Sequence, residues 1–124
     1  MGELKQISIF AENKPGKLEK ITKVLAEAGI NILAVNIAST DGFGVIKFIV
    51  DKCELAFEKL KQSGFTVSLN EVLAVEMEDR PGGLYEVARI LSKKGINLEN
   101  AYVFIVESRE RAFLIVEVKD IKRA

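Results

Sequence analysis

Glu12-Asn13-Lys14-Pro15-Gly16-Lys17-Leu18, followed by Gly29-Ile30-Asn31-Ile32, decides how this chain folds, because the pattern occurs twice. A shift of 66 residues lays it over Glu78-Asp79-Arg80-Pro81-Gly82-Gly83-Leu84 and Gly95-Ile96-Asn97-Leu98. Between residues 7–36 and 73–102 the identical pairs are Glu12/Glu78, Pro15/Pro81, Gly16/Gly82, Leu18/Leu84, Leu25/Leu91, Gly29/Gly95, Ile30/Ile96 and Asn31/Asn97. Similar pairs such as Ile9/Val75, Ile21/Val87 and Val24/Ile90 fill the gaps. The period exceeds that of ordinary solenoid repeats, so two small domains are expected, 5–70 and 71–124.

Outward from the first copy, Ile7, Ile9 and Ala11 alternate as in a strand. Asn13 is placed to cap the following helix, and Pro15 suits a first helical turn. Leu18, Ile21, Val24, Leu25 and Ala28 recur at helical spacing, and Gly29 suits a left-handed stop. Asn31 to Thr40 is rich in strand formers, Asp41-Gly42 signals a hairpin, and Val45 to Val50 reads as the return strand. Cys53, Ala56, Phe57 and Leu60 give a second amphipathic helix before Gly64, and Phe65 to Leu69 a short closing strand. The order βαββαβ predicts an α+β, ferredoxin-like unit, an antiparallel sheet with both helices on one face. The second copy offers strands at 72–78, 98–107 and 111–119, a helix at 83–94, and a hairpin at Ser108-Arg109-Glu110-Arg111. It then stops, lacking most of its second helix and its fourth strand. An uncovered sheet with an open edge is a liability, so either something else covers it or the chain is truncated.

Composition narrows the function. The 124 residues carry 18 basic and 18 acidic side chains, no His, no Trp and one Cys. The absence of His removes the commonest general base and metal ligand, so neither a catalytic residue nor a metal is expected. One Cys builds neither an internal disulfide nor a zinc site. Cys53 lies on the inward stripe of its helix and reads as a structural thiol. A net charge of zero argues against nucleic acid. No targeting segment or membrane span is legible, which makes a cytoplasmic location the default. No cofactor motif is present.

Two in-register copies of Pro-Gly-x-Leu opening a helix and Gly-Ile-Asn-(Ile/Leu) closing it resemble the ACT domain, over nearly the whole chain. The resemblance is strongest to small stand-alone proteins made of two such domains. It implies a regulatory sensor of small molecules, often amino acids, of the kind attached to enzymes such as aspartokinase and phosphoglycerate dehydrogenase. It places the ligand near the first loop and the start of the second strand, where two domains meet. The matching residues are Asn13, Pro15, Gly16, Leu18, Asn31 and Ile32, and Asp79, Arg80, Pro81, Gly82, Gly83, Leu84, Asn97 and Leu98.

Elementary chemistry points the same way. The first amides of a helix are unpaired and sit at the positive end of its dipole, which suits a carboxylate. Gly82 and Gly83 leave room for close approach, Asp79 can accept from an ammonium, and Asn31 and Asn97 carry both donor and acceptor. The second loop is favoured, because the first has Lys17 where the second has Gly83. The plain alternative is that these residues only shape a loop, with Asp79 an N-cap. A further feature is aromatic. By strand parity, Tyr102, Phe104, Phe113 and Ile115 fall on the helix-free face, where such a patch marks an interface. A homodimer or higher homo-oligomer is therefore expected. The functional expectation is a non-catalytic sensor that binds a free amino acid. The alternative is a ligand-free interaction module that docks on and regulates a separate metabolic enzyme.

Overall fold

The structure, a computed structural model, describes residues 2–12, 14–105 and 111–118. Asn13, Val106, the expected hairpin residues Ser108 to Glu110 and the start of a further helix after Val118 lie outside them. Among the described residues there are six strands and three helices. In order these are β1 (Gly2–Glu12), α1 (Lys17–Glu27), β2 (Ile32–Thr40), β3 (Phe43–Val50), α2 (Cys53–Gln62), β4 (Thr66–Glu78), α3 (Gly83–Lys93), β5 (Asn100–Ile105) and β6 (Arg111–Glu117). The chain divides into two compact units, Lys5–Asn70 and Glu71–Ala124 joined by Met1–Leu4.

The two stretches read from sequence as separate strands, 65–69 and 72–78, are one strand, β4. No Gly or Pro interrupts Thr66–Glu78, so nothing in the backbone breaks the extended run. The first unit has the strand order β2-β3-β1-β4. Its β1/β3 and β2/β3 pairs are antiparallel, with Ile9 opposite Ile46 and Phe48 opposite both Ile7 and Val35. The second unit has β5-β6-β4 in matching positions, with Val103 opposite Leu114 and Val75 opposite Leu114 on the other side. Next to β4 comes β1, whose first residues through Leu4 belong to this unit. The place the sequence left without a fourth strand is thus taken by the opening residues of the chain.

Each core follows from the periodicities. In the first unit Ile21 and Leu25 of α1 and Ala56 and Leu60 of α2 bury against Ile7, Ile9, Ile46, Phe48 and Val50. Full burial of side chains such as Ile21 and Leu25 contributes roughly 1.5–3 kcal/mol each. In the second, Val87 and Leu91 of α3 pack on Leu73, Leu114 and Val116.

The helix ends differ from expectation at one terminus only. Gly29 and Gly95 (both φ 70°) end α1 and α3 in matching left-handed caps. Ile30 N–H donates to the Leu25 carbonyl and Ile96 N–H to the Leu91 carbonyl, both at 3.0 Å. These are Schellman closures, and they explain the Gly-Ile pair in each motif. At the start, neither Pro15 nor Pro81 lies in the helix, and Asp79 is not its N-cap. The N-caps are Gly16 and Gly82, both at φ 88°, with no side-chain cap. Pro and Gly form the centre of a type II turn, closed by Lys17 N–H to the Lys14 carbonyl (3.2 Å) and Gly83 N–H to the Arg80 carbonyl (3.0 Å). Proline fixes the first central residue and only glycine takes the second without strain.

Gly83 has its own constraint. It is buried, and a Cβ there would stand 2.1 Å from the Glu78 carbonyl oxygen. Replacing Gly83 with Ala is expected to destabilise the protein by about 2 kcal/mol or more, since backbone rather than a flexible side chain must yield. Gly82→Ala, strained at φ 88° but meeting only the Arg80 guanidinium at an ordinary 3.7 Å, is expected to lose about 1 kcal/mol. Urea unfolding midpoints test the ranking, and equal midpoints would refute it.

Candidate functional site

The Pro-Gly turn of the first unit roofs a pocket of about 220 Å³. Glu12, Lys14, Pro15, Gly16, Lys17 and Leu18 supply its loop and helix side, and Ala11, Ile37, Gly44 and Ile46 its sheet side. The cause of the hollow is a row of small residues. Ala11 pairs with Gly44, and Gly44 with Ser39 on its other flank, so this rung of the sheet carries little side-chain bulk. The floor is apolar and buried: Gly44 is buried and Ile46 is 6% exposed. The rim opens along the free flank of β2, the outer strand of this unit. Val35 and Ile37 sit on the helix side there but remain 48% exposed, since α1 and α2 do not reach over them.

Charge is confined to the loop side. Lys14 Nζ lies 2.7 Å from Glu12 Oε2. That hydrogen bond holds the Glu12 carboxyl below its usual range and lifts the Lys14 ammonium above its own. Lys17, partly buried, adds a second positive charge beside Glu12.

The second unit repeats the backbone but carries different side chains on the matching rung. Its equivalent rung is Met77 opposite Ala112, with Met77 packed against the core. A thioether side chain therefore stands where the first unit has the methyl of Ala11. The loop above is tied to itself. Arg80 Nε donates to Glu78, Nη2 donates to Glu86 Oε1 at 2.9 Å, and Nη1 donates to the Pro81 carbonyl at 3.2 Å. Those two carboxylates, Glu78 first, raise the Arg80 guanidinium still further above its ordinary value. Gly83 gives no open approach, because the Glu78 carbonyl already occupies that space. Asp79, Pro81, Gly82 and Leu84 are exposed around this turn.

Of the sequence-derived candidates, the structure gathers Pro15, Gly16 and Leu18 at the first pocket, and Asp79, Arg80, Pro81, Gly82, Gly83 and Leu84 at the second loop. Asn31 and Ile32 are elsewhere in their unit. Ile32 pairs with Val50 while Glu12 pairs with Phe43, at opposite ends of β3. The Asn31 main chain joins the turn after β3, its N–H donating to Asp51 Oδ1 (2.9 Å) and its carbonyl accepting from Asp51 N–H (3.1 Å). Asn97 and Leu98 likewise lie toward the Glu117 end of β6, away from Pro81. Ala11, Ile37, Gly44 and Ile46 were not among the candidates. The signal that could have found them is the contrast of Ala11 with Met77 in the repeat.

On the helix-free side, Ile115 is already fully buried within the chain. Tyr102, Phe104 and Phe113 are partly buried, with Phe104 and Phe113 stacked at 5.4 Å. Burial, then the nearby Glu117, raises the Tyr102 hydroxyl above its usual range. That face is less open than strand parity alone suggests. The more exposed ring pair is Phe10 and Phe43 in the first unit, 55% and 50% exposed and stacked at 5.8 Å. Among the described residues no cluster of His, Cys, Asp and Glu is arranged to hold a metal. No described helix is long and apolar enough to cross a membrane.

Residues 2–124 match the ACT domain pair family. The chain belongs to that family. A protein of Bacteroides thetaiotaomicron is 33% identical, with a TM-score of 0.90 over 98% of this chain and 83% of that one. The regulatory subunits of aspartate kinase from Thermus thermophilus (ligand-free form) and Thermus flavus share the fold, with TM-scores of 0.68 and 0.67 at 19% and 20% identity. Each comparison covers 94% of this chain and 87% of the subunit. No curated protein matches the chain. ACT domains are regulatory ligand-binding domains, often for amino acids, rather than catalytic ones.

The thiol of this ACT pair has the character of a core residue. Cys53 packs against the first core, and burial, followed by the adjacent Glu54 charge, raises its thiol above the ordinary value. Only the thiolate reacts, so alkylation by iodoacetamide at about pH 8 is expected to be several-fold slower than for free cysteine. The rate should keep climbing beyond about pH 9. A rate at or above that of free cysteine would show the opposite environment.

Proposed function

We propose that this ACT pair is a non-catalytic sensor of a free amino acid, which binds at the first-unit pocket between the Pro15-Gly16 turn and the Ala11–Gly44 rung. The observation that carries the reading is the pocket itself, an apolar-floored hollow under a turn with charged groups on one side only. At about 220 Å³ it is smaller than the roughly 300–1,000 Å³ clefts that hold drug-sized ligands, which favours a single amino acid over a nucleotide or peptide. Binding is regulatory: the chain passes its state to a separate metabolic enzyme or to its own assembly in the cytoplasm. The aspartate kinase neighbours are regulatory subunits by name, which agrees with this reading. The sister loop is then structural, with Met77 filling its hollow and Arg80 held by its own carboxylates.

The second reading is an interaction module without a ligand. The exposed Phe10–Phe43 stack and the uncovered Val35 and Ile37 favour it, as they favour a homodimer. Light scattering at micromolar concentration tests the dimer, and a stable monomer would refute it.

A thermal-shift series with the twenty amino acids separates sensor from module. Ligand at about 100 times its Kd stabilises by about 2.7 kcal/mol, expected as a Tm rise of roughly 5–10 °C. Ala11→Met copies the sister unit's side chain into the hollow, so it is expected to fold and to lose the shift. No shift with any amino acid at millimolar concentration would favour the module.

A further inference from the structure

Resting on the sensor reading, we infer that the pocket selects amino acids with short aliphatic side chains and that Lys17 is the anchor for their carboxylate. The floor and far wall are Ala11, Gly44, Ile46 and Ile37, and Leu18 closes the helix side. None of these side chains has a hydrogen-bonding group. The backbone of Ala11 and Gly44 lies in the β1/β3 pairing. A polar ligand side chain laid on this floor would shed water and gain no partner, which weakens binding by roughly tenfold or more. A hydrocarbon side chain loses nothing of the kind, and each buried CH₂ tightens binding roughly fourfold. At about 220 Å³ the hollow must hold the head group as well as the side chain, which leaves large rings poorly accommodated.

The head group must then face the loop. Three charged side chains line that edge, Glu12, Lys14 and Lys17. Glu12 and Lys14 are exposed and bonded to each other at 2.7 Å, so their charges are largely spent on one another. Lys17 differs in being partly buried, at the first position of α1 and beside the turn glycine. Its ammonium and the positive end of the helix act in the same direction, toward an anion. The sister unit has Gly83 at the equivalent position and Met77 in its hollow, so both halves of the proposed recognition are missing there together.

Titration calorimetry on the full chain with valine, leucine, isoleucine, serine, aspartate, lysine and tryptophan tests the selectivity. The aliphatic three are expected to bind at least tenfold tighter than the rest, a contrast that a hydrophobic pocket reaches with few methylenes. Equal or tighter binding of serine, aspartate, lysine or tryptophan would overturn the selectivity and leave the sensor reading standing. No binding by any of them, nor by the other thirteen, would overturn the sensor reading itself. The role of Lys17 is tested with leucine and leucine amide, which lacks the carboxylate. The wild-type chain should prefer leucine at least tenfold, and Lys17→Met should abolish the preference while Lys14→Met keeps it. A preference that survives Lys17→Met would remove Lys17 from the role.

Discussion

One hydrogen bond in each unit carries the architecture, the one that closes the Pro-Gly turn between first strand and first helix. Lys17 N–H reaches the Lys14 carbonyl and Gly83 N–H the Arg80 carbonyl. A type II turn reverses the chain in four residues and needs a positive φ at its third. Glycine supplies it at 88° in both units. The reversal sets the helix directly over the strand it has just left. From there Ile21 and Leu25, or Val87 and Leu91, meet the sheet. At the far end of the helix Gly29 and Gly95 reverse the chain again and drop Ile30 and Ile96 back toward the core. Between two glycine reversals the helix has little freedom in where it lies.

The same turn also lines the candidate site. It leaves a helix start above the sheet without a side-chain cap, and it spans a rung whose bulk is set independently by the strand residues below. Backbone and side chains thus answer to different constraints. The duplicated backbone is nearly identical at the turns, with φ and ψ matching to within a degree. The rung beneath has diverged, Ala11 and Gly44 in one unit against Met77 and Ala112 in the other. A methionine fills an irregular gap readily, because it is unbranched and flexible. One fold therefore carries a small-residue rung in one copy and a methionine packed on the core in the other, with no change of topology.

Much of this was legible in the residues. The repeat, the helix-ending glycines and the inward stripes of all three helices follow from spacing alone, since 3.6-residue periodicity and left-handed glycine are local properties. Three things were not. Pro15 and Pro81 suit both a helix start and a turn, and the sequence does not show where the first helical hydrogen bond falls. Gly83 looked like an opening, but the Glu78 carbonyl fills it, a contact set by the fold of the whole turn. That contact closes the approach beside Gly83, and the proposed reading therefore rests on the pocket at the first loop. The continuity of β4 was hidden for a related reason. A boundary between units was expected to break the strand, whereas Asn70 and Glu71 simply extend it, with Asn70 accepting from Ser8 Oγ at 3.2 Å.

The position of the pocket bears on how occupancy can be transmitted. Ile37 belongs both to its wall and to the apolar strip left bare along β2, where Val35 is equally exposed. A strand with a free flank and exposed branched residues is a ready surface for another chain, and β2 carries no charge or proline to discourage it. On the proposed reading, ligand and partner share a side chain and both bury it. Two events that draw on the same few residues are thermodynamically coupled, and the coupling is reciprocal: whatever the ligand does to association, association does to ligand affinity. Sharing of Ile37 makes a long relay through the core unnecessary. On that reading sensing and signalling meet at one edge of one sheet.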